Sequence, residues 1–169
     1  MTYPLPGDFG LVPTYGSWLD YVAAKLIRWG TDSPVNHAFI YVGAGDIVEA
    51  WPHGARRVPL ANYDPTTITW STGKINLTHD QRVTIANSAV ADLGTPYGWL
   101  DLVACGFAQR RAAKLVDSRT WWVRRIQSFK TLICSQLVDI CYDDAGVRLF
   151  NDGRLPGLVT PGDLYRRIV

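Results

Sequence analysis

Cys134 lies where an apolar helical pattern begins, in the segment Thr131-Leu132-Ile133-Cys134-Ser135-Gln136-Leu137-Val138. The apolar residues that follow recur at helical spacing, and Gly146 is placed to end the helix. A thiol in the first turn of a helix feels the positive end of the helix dipole and the unpaired N–H groups there. Both favour the thiolate, which is the reactive form of cysteine. Cys134 is therefore a candidate nucleophile, and the alternative is a small buried apolar side chain.

A cysteine nucleophile needs a base, and the base needs a group that orients it. The chain has three histidines. His53 in a turn-like segment and His79 in the first turn of a predicted helix fit exposed positions. His37 opens the apolar strand that continues to Val42, so it should lie at the rim of the core. It is either a hydrogen-bonded structural residue or the base.

Glu49 is the only acid within the apolar strand Ile47-Val48-Glu49-Ala50-Trp51, and acids are rarely buried unless they are paired. A two-residue loop in the preceding turn would pair Glu49 with Ile40, on the wrong face. A three-residue loop or a bulge would pair it with Phe39, one diagonal step of about 7–8 Å from His37. With that geometry the sequence predicts a Cys134–His37–Glu49 triad.

The elements that must position these residues can be read from periodicity and from turn residues. Thr78 and Gln81 form a capping box for a helix with an apolar stripe, which ends near Gly94. The stripe comprises Val83, Ala86, Ala89, Val90 and Leu93. Further helices are predicted over 17–29 and 99–130 and at Cys134, and strands over 37–42, 46–51, 57–60 and 67–77. This order predicts an α+β fold, in which a small antiparallel sheet packs against helices.

Four short motifs resemble the NlpC-type papain-like cysteine peptidases. His37-Ala38-Phe39-Ile40-Tyr41-Val42-Gly43, followed by Ile47-Val48-Glu49-Ala50, is similar to that family's histidine hairpin. The other three are Leu93-Gly94-Thr95-Pro96-Tyr97-Gly98-Trp99, Cys134-Ser135-Gln136-Leu137-Val138 and Pro161-Gly162-Asp163-Leu164. The histidine precedes the cysteine, as in the circularly permuted branch of the family, which also resembles the lecithin–retinol acyltransferase group. The resemblance implies a permuted papain-like fold.

The resemblance also implies roles for individual residues. Cys134 would be the nucleophile, His37 the base and Glu49 the orienting residue, where the family more often has His or Asn. Tyr97, which matches a tyrosine that lines the family's active site, and Ser135 are expected to contact the oxyanion or the substrate.

A basic stretch over 109–130 departs from the family pattern. Seven Lys and Arg residues there stand against the single acid Asp117. One interpretation is a solvated helix whose tryptophans pack on the core. The other is a lid or a dock for an anionic envelope or membrane surface, which would use Trp121, Trp122, Arg124 and Arg125.

Length and composition limit the alternatives. The 169 residues are expected to form one domain, and 47% hydrophobic with 19% charged residues is typical of a folded globular chain. A net charge of +2 gives no argument for a nucleic-acid partner. Three cysteines without a CxxC pair do not form a disulfide framework. No secretory signal or membrane-spanning segment is visible, so we expect synthesis in the cytosol, with any delivery to the envelope by another system or within a phage particle.

The expected function is a cysteine hydrolase that cleaves amide bonds in peptidoglycan stem peptides. No metal or cofactor is expected, because the chain has no HExxH motif and no Cys/His cluster with ligand spacing. Two alternatives stay open. One is a hydrolase or acyltransferase of lipid esters or amides with the same triad. The other is a non-catalytic phage or secretion-system module, and the oligomeric state is undetermined.

Overall fold

The computed structural model describes residues 3–13, 33–51, 53–96, 133–152 and 159–169. Within these ranges five strands form one antiparallel sheet, which is accompanied by three α-helices and a short 3₁₀ helix. The strands are β1 (Phe9–Val12), β2 (His37–Gly43), β3 (Asp46–Trp51), β4 (Gly54–Pro59) and β5 (Thr69–Trp70). The helices are the 3₁₀ turn Leu60–Asn62, α1 (His79–Ala91), α2 (Cys134–Asp144) and α3 (Pro161–Ile168). The expected α+β class with a small antiparallel sheet is confirmed for these residues.

Both faces of the sheet are covered. The strand order is β4-β3-β2-β1-β5, and side chains that alternate along β2 and β3 enter two separate apolar clusters. One cluster joins the sheet to the helices through residues that include Ala38, Ile40, Val48 and Ala50. The other cluster lies on the opposite face and includes Phe39, Tyr41, Ile47 and the partly buried Tyr63.

The hairpin between β2 and β3 has the register that the triad hypothesis requires. Phe39 pairs with Glu49, and the register shifts between Tyr41 and Gly43. The shift comes from a bulge, because the pairing resumes at Gly43 and Asp46 across a two-residue turn. The backbone of the turn is left-handed, with φ of 96° at Gly43, 53° at Ala44 and 84° at Gly45. Of the predicted geometries, the bulge is the one found.

Helix α1 begins as predicted, but its buried face differs from the predicted stripe. Thr78 caps the helix and Gln81 completes the capping box. The buried residues are Ile85, Ala86 and Ala89, so two of the five predicted stripe residues, Ala86 and Ala89, are confirmed. The other three are substantially exposed: Val83 at 43%, Val90 at 38% and Leu93 at 40%. The prediction was wrong there because α1 uses a narrow face against α2 and β2.

The strands also differ from the predictions. The predicted strand over 57–60 is found as Gly54–Pro59, the predicted strand over 67–77 is limited to Thr69–Trp70, and β1 was not predicted. Pro161-Gly162-Asp163-Leu164 is the first turn of α3, with Thr160 as the capping residue and proline at the start. The prediction of a helix at Cys134 is confirmed, and Gly146 follows it with φ of 70°.

The predicted helices over 17–29 and 99–130 lie outside the described residues, and Cys105 lies there too. Among the helices that are described, none has the length and apolar character needed to cross a bilayer. Cys134 and Cys141 are both free thiols.

Gly10 in β1 leaves room for the ring of Phe39 on β2. It pairs with Phe39, and a Cβ placed on it would lie 2.4 Å from Cε2 and 2.6 Å from Cζ of the Phe39 ring. The ring can therefore cross β1 only because residue 10 has no side chain. Phe39 in turn packs against Tyr63 and Trp70, with ring centroids 5.0 and 5.6 Å away.

We predict that Gly10→Ala lowers the free energy of unfolding by about 1–3 kcal/mol, the usual cost of overpacking a core. Thermal unfolding of the purified variant measures this. The double variant Gly10→Ala/Phe39→Leu should recover part of the loss, because leucine lacks the clashing ring atoms. If the double variant loses as much unfolding free energy as the two single variants together, or more, the clash is not the cause.

Candidate active site

Cys134 opens helix α2 and is 3% exposed. The start of the helix is held from two sides. The Gln136 side chain accepts a hydrogen bond from the backbone N–H of Ile133 at 2.9 Å. The buried Ser135 hydroxyl donates to the Val159 carbonyl at 2.6 Å. Because helix geometry leaves the first N–H groups without intrahelical acceptors, the Cys134 N–H is available beside its own sulfur.

His37 and Glu49 form a buried pair across the hairpin. Nε2 of His37 lies 2.7 Å from Oε2 of Glu49, and the two side chains are 6% and 0% exposed. The diagonal step that separates them follows from the bulge, since Phe39 rather than His37 lies directly opposite Glu49.

His37 also interacts with Cys134, whose side-chain hydrogen bond and charge raise the pKa of the imidazole. Because Glu49 occupies Nε2, Nδ1 is the nitrogen left for the thiol. His37 is the first residue of β2, so its ring lies at the end of the strand, within reach of the first turn of α2. The sulfur, the imidazole and the carboxylate are thus arranged in series.

Electrostatics in this series favour the protonated imidazole. Burial alone lowers the pKa of His37, but the hydrogen bonds and charges of Cys134 and Glu49 raise it from 6.5 to about 9. Burial on its own raises the pKa of Glu49. That effect is outweighed by the hydrogen bond and charge of His37 and by the hydrogen bonds of Tyr63 and Arg56, so the pKa of Glu49 is lowered to about 2. At neutral pH the pair is an imidazolium and a carboxylate.

Glu49 has two further partners that the sequence did not suggest. Arg56 binds Oε1 through Nε at 2.8 Å and through Nη2 at 2.7 Å. The Tyr63 hydroxyl donates to Oε2 at 2.5 Å. Burial and the charge of Glu49 raise the pKa of Tyr63, so it stays a donor. Both carboxylate oxygens are therefore occupied, which fixes the plane of the group.

Aromatic rings confine the imidazole. The Trp51 ring meets it edge-on at a centroid distance of 5.4 Å, and Tyr63 stacks along it at 6.2 Å and an interplanar angle of 19°. The Arg56 guanidinium lies over the Trp51 ring, with 4.5 Å from its central carbon to the ring centroid. Trp51 thus contacts both His37 and Arg56, and Tyr63 contacts both His37 and Glu49.

The structure brings together Cys134, His37 and Glu49, the three residues predicted as the triad. The Ser135 hydroxyl serves to anchor α2, and a contact of Ser135 with substrate or oxyanion stays a prediction. Tyr97, Trp121, Trp122, Arg124 and Arg125 lie outside the described residues. The position of Arg56 follows from the β3–β4 register, which places it opposite Glu49, and the sequence gives no equivalent signal for Tyr63.

No family model matches the chain, and no curated protein matches it significantly. Several solved structures match the chain. One is the crystal structure of the metalloprotein yiiX from Escherichia coli O157:H7, described as DUF1105. The TM-score is 0.57 at 20% identity, and the match covers 97% of this chain and 82% of that one. A similarity at this level of identity shows a shared fold and nothing about activity.

The yiiX protein is described as a metalloprotein, which raises the question of a metal in this chain. Across the described ranges, no group of three or more His, Cys, Asp or Glu residues could hold a metal ion. Cys134, His37 and Glu49 have donor atoms, but Nε2 of His37 is hydrogen-bonded to Glu49, and both oxygens of Glu49 are bound by protein side chains. These residues therefore do not fit a metal site.

We predict that the His37 imidazole titrates near pH 9 in the wild-type protein, and that the midpoint falls in Cys134→Ala and in Glu49→Gln. Each substitution removes a group that stabilises the imidazolium, while the burial that opposes the charge remains. Side-chain ¹⁵N NMR against pH measures the midpoint, and the His79 signal is the internal control. An unchanged midpoint in both variants would contradict the arrangement in series.

Because the folded state raises the pKa of His37, stabilisation linked to its proton is complete below about pH 6.5 and is lost as the pH rises through about 9.

Proposed function

We propose that this protein is a cysteine hydrolase that cleaves amide bonds through Cys134, His37 and Glu49. The observation that carries the proposal is the buried His37–Glu49 pair, whose side chains lie 2.7 Å apart, together with the Cys134 side chain, whose hydrogen bond and charge act on the same imidazole. Nearly a hundred residues separate Cys134 from His37 in the sequence, so this juxtaposition is a product of the fold. A nucleophile, a base and a group that orients the base are the parts that acyl transfer needs.

The chemistry follows from the geometry. The Cys134 sulfur attacks the carbonyl carbon as a thiolate, and the Cys134 N–H at the start of α2 donates to the resulting oxyanion. The His37 imidazolium then gives its proton to the leaving amine, the C–N bond breaks, and a thioester remains. Water attacks the thioester while His37 accepts its proton. The acid product leaves, and the thiolate–imidazolium pair is restored.

The pKa of His37 suits this sequence of steps. A base whose pKa is raised to about 9 is protonated at neutral pH, which is the form needed to release the amine. Glu49 stays ionised throughout, because its pKa is lowered to about 2, and it stabilises the imidazolium without taking part in proton transfer.

The substrate class rests on the sequence resemblance to NlpC-type peptidases, which favours peptide stems of peptidoglycan. The permuted papain-like fold is part of the same proposal, and the shared fold with yiiX is compatible with it. A lipid ester or amide as substrate would use the same three side chains. Product analysis distinguishes the two, since new free amines indicate stem peptides and released fatty acid indicates a lipid.

Cys134→Ala should lower amide turnover by a factor on the order of 10³ or more, and His37→Ala by about 10²–10⁴, because both remove groups that act on the reacting atoms. Release of free amines from purified peptidoglycan measures this. Cys141→Ala is the matched control, since it removes a buried thiol from the same helix. Turnover that survives in Cys134→Ala would show that Cys134 is not the nucleophile.

Alkylation tests the thiol without a substrate. Iodoacetamide should label Cys134 well below pH 8 in the wild-type protein, and this labelling should disappear in His37→Ala. Cys141 should stay unlabelled there, because burial raises its pKa to about 12. Equally slow labelling of Cys134 and Cys141 would favour a structural role for both.

A further inference from the structure

Glu49 has more hydrogen-bond partners than it would need to orient His37. Its carboxylate is fully buried, yet it stays charged and receives hydrogen bonds from three side chains on three different segments. A buried carboxylate is costly unless its charge is balanced and its oxygens are occupied. The contacts beyond His37 are therefore part of how the site keeps this group ionised.

The charges of the site alternate in sign from one group to the next. In the reactive state they are the Cys134 thiolate, the His37 imidazolium, the Glu49 carboxylate and the Arg56 guanidinium. Only the last is well exposed, since the Arg56 side chain is 45% exposed while Glu49 is 0% and His37 is 6%. Arg56 thus balances, from the surface, a charge that lies in the core.

Tyr63 contacts two of these groups, Glu49 and His37. Its hydroxyl shares Oε2 of Glu49 with the imidazole, and its ring stacks along His37. Rotation of the carboxylate would break the Tyr63 contact and the Arg56 contact together, because each holds a different oxygen.

We propose that Arg56 and Tyr63 are positioning residues of the site, which hold the Glu49 carboxylate ionised and aimed at Nε2 of His37. The proposal rests on the proposed function only in that Cys134 is taken as the thiol that this arrangement activates. Arg56 and Tyr63 act through Glu49, which stabilises the imidazolium that in turn stabilises the thiolate.

The test is the pH dependence of Cys134 alkylation by iodoacetamide, measured by mass spectrometry. The quantity of interest is the acid limb, the pH range over which the alkylation rate rises as the thiolate forms. Within the ranges that the structure describes, the ionisable groups that face the His37–Glu49 pair are Cys134 from α2, Arg56 from β4 and Tyr63 after the 3₁₀ turn. Without one of the two donors, the Glu49 carboxylate is held less firmly against Nε2 and stabilises the imidazolium less. The limb should then move to higher pH in Tyr63→Phe and in Arg56→Gln by up to about one unit, which is the upper bound set by losing one hydrogen bond to a charged group.

Arg57→Gln is the matched control. Arg57 neighbours Arg56 on β4, is 46% exposed, and binds Asp46 at the start of β3 at 2.9 Å. Its removal changes the net charge by the same amount and leaves Glu49 untouched, so the limb should not move. Arg56→Lys, which keeps the charge without the two-pronged contact, should shift the limb less than Arg56→Gln does.

An unchanged limb in either Tyr63→Phe or Arg56→Gln, or an equal shift in Arg57→Gln, overturns the proposal. Arg56 lies at the surface, so its variants keep the test available if Tyr63→Phe does not fold. The His37 midpoint from ¹⁵N NMR should fall in both site variants, and a drop in unfolding temperature alone would not produce that change. Failure of the proposed function is distinguishable, because Cys134 would then show no selective alkylation in the wild-type protein itself.

Discussion

The buried carboxylate of Glu49 is the constraint on which the site depends. A charge with no exposure must be balanced by partners whose positions are fixed, and each partner of Glu49 comes from a different element. The requirement couples β2, β3, β4 and the segment after the 3₁₀ turn into one unit. A small change in any of these elements would leave a charged oxygen without a donor, and this cost makes the arrangement specific.

The backbone supplies that precision at two points. The bulge before Gly43 moves the register by one residue, which places Glu49 on the same face as His37. Without it, the acid would point into the cluster that packs against the helices. The absence of a side chain at Gly10 lets Phe39 lie across β1 and pack against Tyr63, which in turn meets both His37 and Glu49.

The nucleophile and the rest of the site lie on different layers of the fold. Cys134 belongs to the cluster between the sheet and the helices, whereas Phe39 and Tyr63 belong to the cluster on the opposite face. The two layers meet at His37 because it is the first residue of β2 and lies at the end of the strand. A histidine deeper in the strand would be separated from the thiol by the sheet itself. This geometry supports the proposal of a reaction centre at the end of the central strand β2.

Local chemistry in the sequence determined much of this protein. Helix spacing and the closing glycine located α2 with Cys134 at its start, the Thr78 capping box located the start of α1, and the rarity of buried acids singled out Glu49. These predictions succeeded because each depends on residues within a few positions of one another. The stripe on α1 failed at Val83, Val90 and Leu93 because periodicity does not reveal how wide a face the neighbours will cover.

Tertiary structure decided the rest. The choice between a longer loop and a bulge, the contact between His37 and Cys134, and the position of Tyr63 beside both Glu49 and His37 depend on residues far apart in the chain. Arg56 is an intermediate case, since it lies opposite Glu49 once the β3–β4 register is known, but that register is itself a product of pairing. Side-chain types and short spacings are local properties that the sequence carries directly. Which groups meet in the core depends on packing between elements, and that follows only from the folded chain.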